Sequence, residues 1–488
     1  EMEESKSTTN ILASGTVLET RSNSLYQDSH NFGPREKWRI LRNVVIVSVA
    51  FMINFTAFQG AANLQSSINA DAGLGTASLA TIYGSLILSN VFLPVLVIGW
   101  LGCKWTMALS FIAYMPYIAA QFGPTFGSMI PAALCVGFGG GPLWCAKCTY
   151  LTVLAAAYAK VTNGKSPDAL VIRFFGLFFM IFQFSQIWGN LISSLVLSTD
   201  DGSQPAPPIN TSLLDYCGAN FISGNEAAAG NANLEPPSEE KIYTIAGIYL
   251  ACMVTAVIVI AVGVDSLDRY ETNRQGSGSG LSGFQLLAIT LKLLKEPWQL
   301  LILPMTIYLG ISQAFIGADF TAAYVSCAWG ISNIGFVMIC YGVCNAISAI
   351  FLGWLVKITG RLPIVCAAAI GHTAIAIGLL LWKPNPDDQY IYFLFSGAWG
   401  VADGVWLVQI NAYCGILFPG REEAAYSNFR LWESLGFIAA YAYSTFIRTD
   451  VKLYIILAVL WIGMTGYITT EISFKRAKNR GDDLHKKN

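Results

Sequence analysis

Long unbroken apolar stretches alternate along this chain with short polar connections, and twelve of the stretches approach the length of a bilayer crossing. An α-helix rises about 1.5 Å per residue, so about 20 apolar residues span a hydrocarbon core of about 30 Å. Windows of that size fall at 43–62, 76–99, 105–123, 127–156, 171–198, 242–264, 299–320, 332–356, 363–382, 390–417, 424–447 and 452–471. Within each window the apolar residues run continuously rather than alternating, which excludes a transmembrane β-barrel. The pattern predicts an all-α polytopic membrane protein of twelve transmembrane helices. Composition agrees, since 54% of the residues are hydrophobic and only 12% charged, far from the balance of a soluble domain.

The charges lie almost entirely between the windows, and the basic ones occupy every second connection: Arg35, Lys37, Arg39 and Arg42; Lys104; Lys160 and Lys165; Arg269, Arg274, Lys292 and Lys295; Lys357 and Arg361; Arg421; then Lys475, Arg476, Lys478 and Arg480. The positive-inside rule therefore puts both termini in the cytoplasm and makes 199–241 the largest outward loop. That loop carries seven acids, from Asp200 to Glu240, against Lys241 alone. It also holds Asn210-Thr211-Ser212, an N-glycosylation acceptor on the side where glycosylation occurs. A second triplet, Asn54-Phe55-Thr56, falls inside the first window, out of reach of a glycosyl transferase. A net charge of −1 gives no reason to expect a nucleic-acid partner.

The chain matches itself at a steady offset. Thr56-Ala-Phe-Gln-Gly-Ala61 aligns with Gln313-Ala-Phe-Ile-Gly-Ala318 at 313 − 56 = 257; Tyr83-Gly84 aligns with Tyr341-Gly342 at 341 − 83 = 258; Trp144 aligns with Trp406 at 406 − 144 = 262. Offsets this constant imply two six-helix halves in parallel orientation, the organisation of the major facilitator fold. The predicted layout is a disordered cytoplasmic tail at 1–42, a first half at 43–264, a cytoplasmic linker at 265–298, a second half at 299–472 and a basic cytoplasmic tail at 473–488. The centre of the linker, Asn273-Arg-Gln-Gly-Ser-Gly-Ser-Gly-Leu-Ser282, is flexible by composition.

Several stretches carry a family resemblance: Leu41-Arg-Asn-Val44, Asn63-Leu-Gln-Ser-Ser67, Pro142-Leu-Trp144 with Cys148-Thr-Tyr-Leu-Thr152, Trp188-Gly-Asn-Leu-Ile-Ser-Ser194, Gly400-Val-Ala-Asp-Gly-Val-Trp406, and Asn428-Phe-Arg-Leu-Trp-Glu433. In this order they resemble the UNC-93 family, in its homolog A branch, across nearly all of the helical region. The resemblance implies a partner of other membrane proteins. One member is a regulatory subunit of a two-pore-domain potassium channel, and another is a trafficking chaperone for nucleic-acid-sensing Toll-like receptors, which have a single span. Neither role supplies a residue motif to carry over. The favoured expectation is a potassium-channel regulator in the plasma membrane, with endosomal membrane as the second location. The alternatives are a secondary transporter of a small solute or ion and a receptor chaperone. The loop between the second and third helices, Ile98-Gly-Trp-Leu-Gly-Cys-Lys-Trp105, lacks the aspartate of the usual major facilitator gate motif, as does Gly353–Arg361 in the second half.

Candidate chemistry concentrates in the stretch Gly139-Gly-Gly-Pro-Leu-Trp-Cys-Ala-Lys-Cys148. The Gly-rich run follows no strand and is not followed by a P-loop Lys-Ser/Thr pair, so it reads as a close-packing surface between membrane helices. Cys145 and Cys148 share a helix face, but three histidines in the whole chain, two of them in tails, leave no four-ligand zinc set, and no metal or other cofactor is expected. Cys217 is the sole cysteine of the outward loop, so it stands as a lone thiol or pairs with another chain. No nucleophile–base–acid constellation appears, and an enzyme is not expected. Lys147 is the conspicuous residue: a mid-membrane charge costs about 2.5–3.5 kcal/mol on insertion scales, so it should face the bundle interior beside an acid. Asp403, on the repeat-equivalent helix, is the first-choice partner. Glu433 is the second, with Arg430 three residues before it, and Asp319 completes the expected central charge cluster. Such a cluster serves either a transport pathway or a permanent latch between the halves.

Overall fold

The computed structural model describes residues 35–162, 167–199, 211–223, 231–270, 288, 292–418 and 422–485. The expected N-terminal tail up to residue 34, the Asn210 acceptor and the Gly/Ser centre of the linker lie outside the described residues. The first half consists of α1 (Glu36–Ile68), a long helical run Leu74–Ala119 that supplies two crossings, α4 (Phe126–Thr162), α5 (Pro167–Leu197) and α6 (Glu239–Gly263). The run breaks at Gly102, with φ 72° and ψ 165°, a conformation open to glycine and hostile to residues with a Cβ; α2 is its part before Gly102 and α3 its part after. The second half begins with α7 (Pro297–Ala314), which continues as a π-helix Phe315–Ser326 and a turn Cys327–Trp329. It is completed by α8 (Ile334–Thr359), α9 (Arg361–Leu381), α10 (Gln389–Leu417), α11 (Glu422–Tyr443) and α12 (Thr449–His485).

Eleven helices among the described residues are long and apolar enough to cross a membrane. The twelfth, α11, is as long but less apolar, because Glu422, Glu423, Arg430 and Glu433 fall within its 22 residues; it nevertheless packs against α7 and α2. α1 and α12 outrun their apolar windows with charged residues. α1 starts at Glu36, an acid in the first turn, where it complements the positive end of the helix dipole. α12 continues to His485 through a charged stretch.

α4 contains Pro131 and Pro142 and still runs unbroken. Proline 142 has no N–H for the carbonyl of residue 138, and Ser89 Oγ supplies the missing donor to Phe138 O at 2.8 Å. The glycines before it are contact points: a Cβ on Gly137 would lie 1.9 Å from Ser85 Oγ and 2.4 Å from Ile82 O. Small residues thus set α4 directly on α2, the way helices associate where lipid removes the hydrophobic drive. Behind this contact, Trp144 packs edge-on or tilted against Phe51, Phe55 and Phe182 at centroid distances of 5.3–5.8 Å.

The halves meet where α1 packs on the π-helix, α2 on α11 and α5 on α8. Tyr83 of α2 stacks on Phe437 of α11 at 4.1 Å, and Ser194 Oγ donates to Ser332 O at 2.6 Å. Residues from the 199–241 loop extend this junction. Thr449 donates to Phe221 O from its backbone N at 3.0 Å and its Oγ1 at 3.1 Å, and Asn231 Nδ2 donates to Cys327 O at 2.8 Å. Cys217 forms a disulfide with Cys327, 110 residues later, with Cα atoms 5.6 Å apart. This corrects the expectation of a lone or intermolecular thiol: the turn after the π-helix ends beside the loop, a proximity that sequence spacing does not reveal.

Candidate functional site

The expected charge cluster resolves into separate places. Lys147 is 2% exposed, yet no carboxylate among the described residues lies within ion-pair distance. Its Nζ sits 4.5 Å from the ring centroid of Phe178, 4.9 Å from Phe179 and 5.0 Å from Trp144 and Phe175. Trp144 precedes the lysine by three residues on the same face of α4, and α5 contributes the other three rings at i, i+3 and i+4 spacing. Each ring face attracts the cation with about 0.5–2 kcal/mol. Phe179 is 42% exposed, so this aromatic box lies between α4 and α5 toward the periphery of the bundle. The pairing of Lys147 with Asp403 is therefore not formed: π faces, rather than an acid, surround the ammonium.

Asp403 of α10 is buried within the second half. Its Oδ1 accepts from Ser312 Oγ of α7 at 3.0 Å and its Oδ2 from Tyr341 OH of α8 at 2.8 Å. Ser312 Oγ in turn accepts from Trp399 Nε1 at 3.2 Å. Beside this group stands His372 of α9, whose Nδ1 accepts from Trp406 Nε1 at 3.1 Å and lies 2.7 Å from Tyr308 OH. A ring nitrogen that accepts from an indole N–H carries no proton, so the neutral tautomer has its proton on Nε2. Nε2 is buried and without a partner among the described residues. Trp399 meets the imidazole edge to face at 4.2 Å. Two neutral donors, from α7 and α8, thus serve the carboxyl group of α10, with no cation within ion-pair distance among the described residues. Chemically, such a group is equipped to hold a proton or to accept hydrogen bonds from a polar guest.

Asp319, in the π-helix, belongs to a third place. Lys452 Nζ of α12 lies 2.6 Å from its Oδ1, with side-chain exposures of 2% and 4%. Ser444 ties the two together: its Oγ donates to Asp319 Oδ1 and its carbonyl accepts from Lys452 Nζ, both at 2.5 Å. Sequence reasoning missed Lys452, which stands at the edge of the last apolar window. The signal was present, because both charges border the same end of the bundle. Arg430 and Glu433 form the fourth place, a local i,i+3 pair at 2.8 Å with the arginine 62% exposed.

A family model described as "Ion channel regulatory protein UNC-93" matches residues 65–468. The chain is 45% identical over 430 residues to "Protein unc-93 homolog A" of Xenopus laevis, covering 88% of this chain and 92% of that one. It is 35% identical over 439 residues to "Putative potassium channel regulatory protein unc-93" of Caenorhabditis elegans, covering 89% of this chain and 61% of the nematode protein. Among solved structures it resembles the nucleoside transporter NupG with a TM-score of 0.58 at 14% identity, over 88% of this chain and 99% of that one. At that identity the likeness shows the fold alone, a major facilitator bundle.

Proposed function

Because this chain belongs to the UNC-93 family of ion channel regulatory proteins, we propose that it is a non-enzymatic accessory subunit of a potassium channel. It acts in the plasma membrane with both termini cytoplasmic, and its channel partner is of the two-pore-domain class. The observation that carries this reading is the 35% identity, over 89% of the chain, to a nematode protein named as a potassium channel regulator. The disulfide between the loop and the second half supports the topology, since disulfides persist on the oxidising side of a membrane. The same bond, together with charges that are internally satisfied at Asp319–Lys452 and Arg430–Glu433, suits a body that presents a fixed surface to a partner.

The test is whole-cell potassium current in cells without background channels, with this chain expressed alone and together with a two-pore-domain channel. A change in current that requires the channel, at unchanged channel density on the surface, is the expected result; no change at equal expression removes the reading. Asp403 favours a second reading, transport of a small solute or ion, because a buried carboxyl group with no counter-cation among the described residues, in a major facilitator bundle, is a natural point of coupling. Uptake that is lost in Asp403→Asn at normal surface expression would establish it.

A further inference from the structure

At the end of the bundle opposite the disulfide, the start of α1 and the segment after α6 enclose an open cleft of about 580 Å³ lined by Arg35, Glu36, Trp38, Arg39, Arg42 and Arg269. Two acids hold three of its four guanidinium groups in place. Asp265 accepts from Arg39 Nε at 2.7 Å and Nη2 at 3.0 Å, from Arg42 Nη2 at 2.8 Å and from Asn43 Nδ2 at 2.9 Å. Glu36 accepts from Arg269 through Nε and Nη2, both at 3.1 Å, and from Tyr270 OH at 2.8 Å. The hydrogen bond from Arg39, followed by that from Asn43 and the charges of Arg39 and Arg42, keeps the Asp265 carboxyl well below the usual carboxylate range against the opposing effect of burial. Among the described side chains, four guanidinium groups against two carboxylates leave 4 − 2 = +2. Arg35 has no carboxylate within ion-pair distance among the described residues.

Trp38 stands in the same cleft, 76% exposed, two residues inside the start of a membrane-crossing helix. An indole there belongs to the headgroup layer of a bilayer, with its ring against the acyl boundary. A rigid set of guanidinium forks matches phosphate oxygens in paired geometry, which a compact ammonium does not. We propose that this cleft binds the phosphorylated headgroup of an anionic phospholipid, with Arg35, Arg42 and Arg269 taking the phosphates and Trp38 lying along the glycerol backbone. The excess charge selects an anion. The exposed indole beside it selects a lipid over a free anion in solution. The alternative occupant that the test separates is an acidic segment of the chain itself, which begins with Glu1, Glu3 and Glu4.

The experiment titrates the full chain, purified in neutral detergent, with dioctanoyl phosphatidylinositol 4,5-bisphosphate and reads the dissociation constant by thermophoresis. Dioctanoyl phosphatidylcholine and free inositol trisphosphate serve as comparison probes. The perturbing variant is Arg35→Gln/Trp38→Ala, which removes no partner of Asp265 or Glu36. Saturable binding of the bisphosphate lipid is expected, at least tenfold weaker in the double variant and at least tenfold weaker for inositol trisphosphate, with no binding of the phosphocholine lipid. Raising the salt to 1 M, where charges are screened beyond about 3 Å, should weaken it further. If the double variant elutes as aggregate, Arg35→Glu replaces it with the same expected loss. Unchanged affinity in the variant overturns the proposal. Equal affinity for inositol trisphosphate overturns it in favour of a soluble polyanion, and binding that appears only after deletion of residues 1–34 overturns it in favour of the chain's own acidic segment.

Discussion

The buried pair of Asp319 and Lys452 offers the most direct test of the packing described above. Lys452→Met keeps most of the side-chain stem but removes the ammonium, leaving Asp319 buried at 4% side-chain exposure with Ser444 Oγ as its remaining donor. Removing one member of a buried ion pair costs about 3–5 kcal/mol, because the surviving charge is left without compensation. With an unfolding entropy of about 2.1 cal/mol/K per residue, a chain of 488 residues loses about 1 °C of melting temperature for each kcal/mol. The expected drop is therefore about 3–5 °C, read by size-exclusion chromatography of detergent-solubilised protein after heating. Lys452→Met/Asp319→Asn should recover most of it, since neutral replacement of a whole buried pair is often close to neutral in energy. A single variant that melts with the parent, or a double variant no better than the single, would refute the reasoning.

Further outcomes follow from the other sites. Lys147→Met and Asp403→Asn share no partner, so their effects on melting should add within about 0.5 kcal/mol; a larger coupling in the double variant would restore the direct pairing. Cys217→Ser should expose one more maleimide-reactive thiol in the unfolded chain than the parent does, because Cys327 is released. It should also lose up to about 4–5 kcal/mol of loop-closure stabilisation for a separation of 110 residues. Asp265→Asn should cost about 1–2 kcal/mol, a figure discounted for the half-exposed Arg42. The Asp265 carboxyl is depressed in the folded state, so its contribution is present above the unfolded carboxylate value of about 3.9. It is lost only as pH falls through the lower folded value. The melting gap between parent and Asp265→Asn should accordingly stay constant from pH 7.5 to 5.5, and a gap that closes within that window would show that the carboxylate is not held down.

The membrane-crossing pattern was legible in the sequence because the bilayer acts on composition, and composition is what an apolar window measures. The ends of α1 and α12 were less so, since charged residues outside the hydrocarbon can remain helical when partners such as Asp265 are at hand. Lys147 stands out in the sequence as a charge inside an apolar window. Its compensation was hidden, because Phe175, Phe178 and Phe179 look in sequence like ordinary packing residues. Asp403 drew attention for the same reason, but its donors Ser312 and Tyr341 are neutral and lie 91 and 62 residues away. Only contact reveals such a pairing. Asp319 and Lys452 did carry a readable signal, two opposite charges at one end of the bundle, obscured by the position of Lys452 at a window edge.

The disulfide gives the molecule a covalent topology that its helices alone do not. From Cys217 the main chain runs through α6, the linker and α7 to Cys327, and the sulfur–sulfur bond closes that path into a ring. A protease that cuts the linker opens the ring without releasing either piece: the nicked protein should migrate as one species without reductant and as two with it. The two six-helix bodies are therefore strapped at both ends, by polypeptide at one and by sulfur at the other. Any rocking between them has to carry the 211–223 segment along with the second body, like a hinge whose pin is fixed to one leaf.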